Sequence, residues 1–594
     1  MRVVPRAATV LAMIAASGVP GLAAPSTVAA ASITPTVVIN ERVYVESTVD
    51  SDHDGRRDRV AIDITRPDTT AQVPVVFEHS PYRGSWTEYP FHNVDPDRLP
   101  QEGLFGGGSA VPDAGRLGGP ANTKSVPALL SQNEENYFLA NGYAMVLGYS
   151  IGTGPSDGCA TSGDRQETLG TTAVIDWLNG RARGFDSTGQ PVTASWSTGN
   201  VGMIGASYNG TLPNMAASTG VAGLKAIVPI AAISSWYDYY RANGLVVAPG
   251  GYQGEDTDVL AGFVGGDRLN CASQLARLTN DQDRRTGDYN AFWRDRDYVD
   301  ASRVTAGVFV VHGQSDWNVK GQHYAQWYDS LRRHDVPRKI WLHRGGHGGP
   351  GSRPDFQDTV IRWFDYFVKG IDNGIVDEPM AEVEYTDGTW RQYADWPDPA
   401  ARNTVLNLSA TSSTAPGRLS LGRGGGNVRQ NFVDQGRTNR APALVADPDT
   451  ANPNRLVYRT GPLPETLRLS GAPRVTVRAA VTNRKAANLT ALLVDYGPAG
   501  SNSAPVIVTR GWLDPQNRAG KARSLPVMPG QEYDLTFNMQ PRDYYFSAGR
   551  RIGLVIISTD YDYTLRPPGG TGLRVVPGRS SLILPLVGHL PHLG

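Results

Sequence analysis

Residues 201–218 read VGMIGASYNGTLPNMAAS. The apolar run 201–204 reads as a buried strand. Residues 211–218 are small and apolar enough to form a helix packed close to a sheet. Between them lie Gly205, Ala206, Ser207, Tyr208, Asn209 and Gly210. A serine on a sharp strand-to-helix turn, flanked by small residues, is the pattern of a nucleophile elbow. Such a turn exposes the hydroxyl and sets the free N–H groups of a helix N-terminus beside it. The spacing departs from the usual G-x-S-x-G: Asn209 stands at the final glycine's place and Gly210 follows one residue later. The plainer alternative is a Gly/Ser turn that only joins a strand to a helix.

An elbow serine needs a base and an acid to orient it, and in this arrangement they follow in the order Ser, acid, His. Asp316 comes just after the apolar run GVFVVHG, within HGQSDWNVK. His347 comes just after KIWLHR, within RGGHGGP, where glycines let the ring swing over the serine. His312 and His343 lie on strands, where a satisfied core histidine is expected. His323 and His334 fall on or near a helix and read as surface residues. In the resulting triad His347 takes the proton as Ser207 attacks a carbonyl, and Asp316 fixes the imidazole tautomer. The N–H of Tyr208 is one oxyanion donor because it follows the nucleophile. The second belongs on the loop after the third strand, where SPYR offers the Tyr82 phenol. Otherwise Tyr82 is a half-buried aromatic on a turn after proline.

These residues need a scaffold, and 594 residues are enough for two or three domains. From residue 74 the pattern alternates apolar strands with amphipathic helices: strands at 74–79, 143–147, 201–204, 226–230, 307–312 and 338–343, helices at 133–141, 167–178, 322–333 and 359–369. That rhythm predicts an α/β class with a mostly parallel sheet covered on both faces. Ser207, Tyr82 and the glycine-rich loop 152–158 then fall at strand carboxyl ends, where such sheets hold their sites. The loop lacks the lysine and spacing of a phosphate cradle. Between 234 and 300 the rhythm stops, which reads as a helical cap insertion. Beyond 378 short alternating strands separated by turn residues predict a β-sandwich. The expected organisation is a signal at 1–31, an α/β-hydrolase domain at 32–233 and 301–377, a cap at 234–300, and an all-β domain at 378–594.

The signal assignment rests on Arg2 and Arg6 before an apolar run, followed by Ala29, Ala30 and Ala31. It implies a secreted, extracellular protein. A net charge of -1 gives no global field for nucleic acid or an anionic membrane surface. The two cysteines, Cys159 and Cys271, are expected to pair in an exported chain. No Cys/His cluster has metal-ligand spacing, so no metal or cofactor is expected. Asp50, Asp52, Asp54 and Gly55 match the start of a calcium loop, but position twelve is Ala61, and a polar hairpin turn is preferred.

The segments SPYR, GTGPSDG, GASYNG, SDWNVK and GGHG, in this order, resemble the bacterial X-prolyl dipeptidyl aminopeptidases, a serine peptidase family shared with cocaine-esterase-like hydrolases. The resemblance covers nearly the whole chain after the expected signal and implies a jelly-roll type of C-terminal sandwich. The elbow pattern G-x-S-Y-x-G belongs to that family, and Tyr82 matches its oxyanion tyrosine. SDWNVK and SSWYDYYRANGLVVAPGGYQGED look like the dipeptidyl-peptidase branch. That implies a peptide substrate with a free N-terminus and proline second. Trp236 and Tyr239 would supply a flat slot for the proline ring. Glu255 matches the family's anchor for the amine, Asn318 a polar group holding the same end, and Tyr252 would flank it. The alternative on the same triad is an esterase or acylase that needs no free amine.

Overall fold

The computed structural model describes residues 37–84, 86–96, 129–266, 268–351, 353–422, 424, 426–498, 500–501 and 503–588. The expected signal at 1–31 lies outside the described residues.

Near-continuous apolar segments form the centre of the first sheet, as strands buried on both faces require. The strands are β1 (Val38–Glu46), β2 (Arg59–Pro67), β3 (Val73–Ser80), β4 (Ala144–Tyr149), β5 (Ser197–Ala206), β6 (Leu224–Ile230), β7 (Gly307–Gly313), β8 (Arg338–His343), β9 (Ala381–Glu384) and β10 (Trp390–Tyr393). Their order is β10-β9-β8-β7-β6-β5-β3-β4-β2-β1, and two short strands at Gly184–Phe185 and Pro191–Val192 complete a twelve-stranded sheet. The pairs from β4 through β9 are parallel, whereas β1, β2 and β10 join antiparallel at the edges.

Helices cover both faces. Core side chains of α2 (Arg165–Leu178) and of the helix Gln322–Arg333 join one apolar cluster with β1, β2 and β5. Those of α1 (Gln132–Ala140) and of the helix Phe356–Lys369 join a second cluster on the opposite face. The elbow helix α3 (Tyr208–Thr219) packs on β3, β5 and β6. The cap carries α4 (Trp236–Tyr240), α5 (Thr257–Gly265) and α6 (Ala272–Asp281), which we number onward to α7 (Gln322–Arg333) and α8 (Phe356–Lys369). Trp236, Tyr237, Tyr239, Tyr240, Phe263 and Trp293 make the cap's core an aromatic cluster, and Tyr82 and Tyr208 belong to the same cluster.

Strands from Arg402–Ser409 to Ser581–Val587 build a separate thirteen-stranded sheet around its own aliphatic core. The change of pattern at 378 is therefore not the change of sheet. β9 extends the parallel array beside β8, and β10 turns back on it. Both are short strands, and a strand's own sequence says little about which sheet it joins.

Cys159 and Cys271 are bonded, with Cα atoms 5.5 Å apart across 112 residues, and tie the end of the glycine-rich loop to the cap. Arg268 reinforces the same seam by donating to the carbonyls of Gly154 and Ser156 at 2.8 and 3.0 Å. The acidic turn behaves as a hairpin: Asp50 accepts the N–H groups of Asp54 and Gly55, each at 3.0 Å. Carboxylate oxygens of Asp50, Asp52 and Asp58 lie within 4.8 Å of one another.

Candidate active site

Ser207 ends the turn between β5 and α3 with φ +62° and ψ −124°. Positive φ is strained for a non-glycine residue. The neighbouring glycines show why the turn can exist. A Cβ at Gly205 would lie 2.4 Å from the Asn209 carbonyl oxygen. A Cβ at Gly210 would lie 2.7 Å from the Gly205 carbonyl oxygen and 2.8 Å from that of Ile230. Gly210 is thus where the helix touches the strands, which accounts for its position one residue later than the usual pattern.

Three side chains from distant segments converge here. His347 Nε2 lies 2.8 Å from Ser207 Oγ, and His347 Nδ1 lies 2.7 Å from Asp316 Oδ2. The N–H groups of Asn318 and Val319 both donate to Asp316 Oδ1 at 2.9 Å, which fixes the carboxylate for the ring. With Asp316 accepting at Nδ1–H, the Nε2 lone pair faces the serine hydroxyl. His312 is buried behind Asp316 and bonds the Val319 carbonyl at 2.7 Å; burial holds its imidazole down to about 4. It is the core histidine expected from its strand.

Tyr82 sits two residues past β3, its N–H donating to Ser80 Oγ at 3.0 Å, while the adjacent Arg83 pairs with buried Glu78. Its ring meets that of Tyr208 edge-on at 6.0 Å. Burial, then the nearby Glu255 charge, push the Tyr82 phenol upward, so it stays protonated and able to donate. Tyr208 opens α3, where the first N–H groups have no partner within the helix.

The cap residues fall beside this centre. The Trp236 ring is fully enclosed, 4.8 Å edge-on from Tyr208 and stacked 6.1 Å from Tyr240. Tyr239 donates its hydroxyl to Asn318 Oδ1 at 2.7 Å, which joins the cap to the residue two past the acid. Tyr240 donates to Glu255 Oε1 at 2.9 Å. Glu255 is buried, and its N–H bonds the Tyr252 carbonyl at 3.0 Å, so Tyr252 and Glu255 close one turn. Neighbouring Asp256 is held by Arg241 and Arg284 at 2.9 and 2.7 Å. All ten sequence-selected catalytic, oxyanion and pocket residues, namely Ser207, Asp316, His347, Tyr82, Tyr208, Trp236, Tyr239, Tyr252, Glu255 and Asn318, thus belong to one connected neighbourhood.

A hydroxyl, an imidazole and a carboxylate in this relay can perform acyl transfer. Residues 54–349 match the X-Pro dipeptidyl-peptidase (S15 family) domain, and residues 373–588 match the X-Pro dipeptidyl-peptidase C-terminal non-catalytic domain. A Bacillus cereus relative is 49% identical over 556 residues, spanning 93% of this chain and 90% of its own. The Xaa-Pro dipeptidyl-peptidase of Lacticaseibacillus rhamnosus is 33% identical over 615 residues, spanning 92% of this chain and 76% of its own. This chain belongs to the S15 peptidase family. Among solved structures, an α-amino acid ester hydrolase shares the fold of this S15 protein with TM-score 0.64 at 18% identity, over 95% of this chain and 99% of that one. A CocE/NonD family hydrolase from Staphylococcus aureus does so with TM-score 0.64 at 16% identity, over 92% and 94%.

The S15 site also contains groups that sequence reasoning passed over. His323 is fully buried rather than on the surface, because α7 lays it against the base of the cap, where the Ser234 N–H donates to its Nδ1 at 3.3 Å. Lys320 is buried too, and its Nζ donates to the Tyr239 carbonyl at 3.3 Å; burial lowers the amine to about 7, against the pull of Asp316, Asp238 and Glu255. Glu167 is enclosed at the start of α2 and accepts from Tyr208. The lysine's place in SDWNVK, four residues after the acid, was a usable signal. Tyr208, which joins Glu167 to the elbow, and Ser234, which meets His323, are far away in sequence and leave no local pattern.

Proposed function

We propose that this serine peptidase is a secreted exopeptidase that releases N-terminal Xaa-Pro dipeptides through an acyl-enzyme. The observation that carries the reading is the Ser207–His347–Asp316 relay, with buried Glu255 linked to it through the cap tyrosines. The names carried by S15 relatives support the same substrate class.

In this reading the substrate ammonium pairs with Glu255, and Asn318 and Tyr252 hold the same end. Trp236 is enclosed, so it backs the proline slot while Tyr239, packed edge-on against it, borders the slot. The carbonyl of the second residue then lies at Ser207. Ser207 Oγ attacks that carbon as its proton passes to His347 Nε2. The oxyanion is held by the Tyr208 N–H and the Tyr82 hydroxyl. The C–N bond breaks, and the leaving amine takes the proton from His347. Water repeats the sequence on the ester, with His347 as base, and frees the dipeptide. Export is supported by the pattern of residues 1–31 and suits the Cys159–Cys271 bond.

Ser207→Ala should abolish hydrolysis of an Xaa-Pro chromogenic amide. Glu255→Gln should raise KM for free-amine substrates about 10- to 100-fold, the scale of a lost charge-assisted contact of about 1.5–3 kcal/mol. Equal cleavage of N-acetylated substrates by the parent enzyme would remove the amine anchor. Simple acyl esters outrunning Xaa-Pro amides would favour the esterase reading. The mature N-terminus of protein recovered from culture medium tests export.

A further inference from the structure

Glu167 lies far from the triad in sequence and is 4% exposed in the first turn of α2. Its Oε2 accepts the Tyr208 hydroxyl at 2.6 Å and the Gly163 N–H at 2.7 Å. Tyr208 is the residue after the nucleophile. Its phenol is fully buried and its titration is pushed up by burial and by the Glu167 charge, so it is the donor in this bond.

The same carboxyl reaches the cap by a second route. Gly163 lies so close to Trp236 that a Cβ there would fall 1.9 Å from the indole Nε1. That indole donates to Tyr298 Oη at 3.1 Å, and the Tyr298 hydroxyl donates in turn to the Gly163 carbonyl. Because the rings of Trp236 and Tyr208 touch at 4.8 Å, the path closes on itself. One buried group therefore ties the elbow, the loop before α2 and the cap aromatic into a single ring of contacts. Tyr82 packs edge-on against Tyr208 and shares that wall.

We propose that Glu167 is a positioning residue for the acyl-transfer step: by holding the Tyr208 phenol it fixes the backbone N–H that Tyr208 presents to the oxyanion, together with the wall formed by Tyr208, Tyr82 and Trp236. It touches no reacting atom. The proposal rests on Ser207 being the nucleophile and not on the Xaa-Pro substrate class. A displaced N–H weakens stabilisation of the charge that develops during attack, so the loss belongs in kcat. The neutral amide of Gln accepts the same two donors and is nearly the same size.

The experiment uses the full chain and two substrates, an Xaa-Pro chromogenic amide and an activated acyl ester. Glu167→Ala should lower kcat on both by roughly 30- to 300-fold, somewhat less than the about 100- to 1000-fold seen when one oxyanion donor is lost outright, with KM changed less than threefold. Glu167→Gln should restore kcat to within about threefold of the parent, as expected for a retained acceptor. Tyr208→Phe should lower kcat, and combining it with Glu167→Ala should add little further, because both remove one interaction. Glu167→Ala with the parent kcat, or with KM raised and kcat unchanged, would overturn the proposal. So would additive losses in the double variant. Should Glu167→Ala not fold, the Gln and Phe variants still decide: a Tyr208→Phe enzyme with parent kcat on both substrates refutes it. A parent enzyme that prefers the ester would refute the Xaa-Pro reading alone and leave this test standing.

Discussion

Ser207 keeps a positive φ that an ordinary residue adopts at a cost of about 1–3 kcal/mol. The elbow therefore depends on neighbours that hold it, and Glu167 is a buried carboxyl among them. Burial raises that carboxyl from 4.5 to about 7, although two donors and the N-terminus of α2 pull the other way. Asp164 on the same turn raises it further, while Tyr208, Tyr298 and Tyr82 face it as neutral phenols. The folded pKa lies above the unfolded one, so between pH 4.5 and 7 the folded protein keeps a proton that the unfolded chain has released. This contribution to stability is complete below the unfolded pKa and is lost as pH rises through about 7. Glu167→Gln is neutral at every pH and removes the dependence. Calorimetry from pH 5 to 8 should show the Tm of the Gln variant gaining on the parent as pH rises. A difference that stays flat would contradict the buried, proton-retaining carboxyl.

At the scale of elements, the elbow was legible because everything it needs is local: an apolar strand, a small-residue turn and a helix. The expected segment 211–218 extends to Tyr208–Thr219, and Pro213 lies inside it, past the first turn, so the helix forgoes the N–H bond that would meet the Asn209 carbonyl. The triad followed from chain order, from the places of Asp316 and His347 just after apolar strands, and from the glycines around His347. The aromatic wall was legible only in part, because Tyr208 meets Glu167 across 41 residues and Trp236 across the cap. Gly210 shows what spacing can encode. A Cβ there would meet the carbonyl oxygens of both Gly205 and Ile230 at 2.7 and 2.8 Å, so Gly210→Ala must push α3 off β5 and β6. Overpacking of this kind costs about 1–3 kcal/mol. The nucleophile rides on the first turn of that helix, so thermal unfolding should show a lower Tm and the kinetics a lower kcat together. Full activity in a Gly210→Ala protein would mean that the helix has room to move.

For the whole molecule, the second domain was visible as a run of short strands, but its grip on the site was not, because that grip is made of contacts between residues hundreds of positions apart. Trp317, between Asp316 and Asn318, packs against Trp512 and Tyr563 at 6.5 and 5.7 Å. The Arg510 guanidinium lies 4.9 Å from the Trp317 ring and 4.6 Å from that of Tyr563. Buried Asp560 pairs with Arg510 at 2.8 Å and accepts from Trp512 at 3.0 Å. The same loop is held at Gln314 by the Asp543 N–H at 3.1 Å, and Glu255 shares a small cavity with Tyr563 and Thr564. A domain described as non-catalytic in its family thus clamps both the acid's loop and the segment that carries Glu255, the proposed amine anchor, where Gln253 bonds the Tyr561 carbonyl and Arg566. Arg510→Met leaves Asp560 buried without its cation, which typically costs about 3–5 kcal/mol. Tm should fall for that reason alone, so stability cannot reveal the clamp by itself. Arg510→Met combined with Asp560→Leu removes the uncompensated charge and should recover most of the Tm. The cation over Trp317 is still missing in the double variant, so its kcat should stay below the parent by roughly 5- to 50-fold, since small displacements of a catalytic group cost up to about 100-fold. If kcat returned together with Tm, the sandwich would only be keeping itself folded, and the loop of Asp316 would owe its position to the first domain.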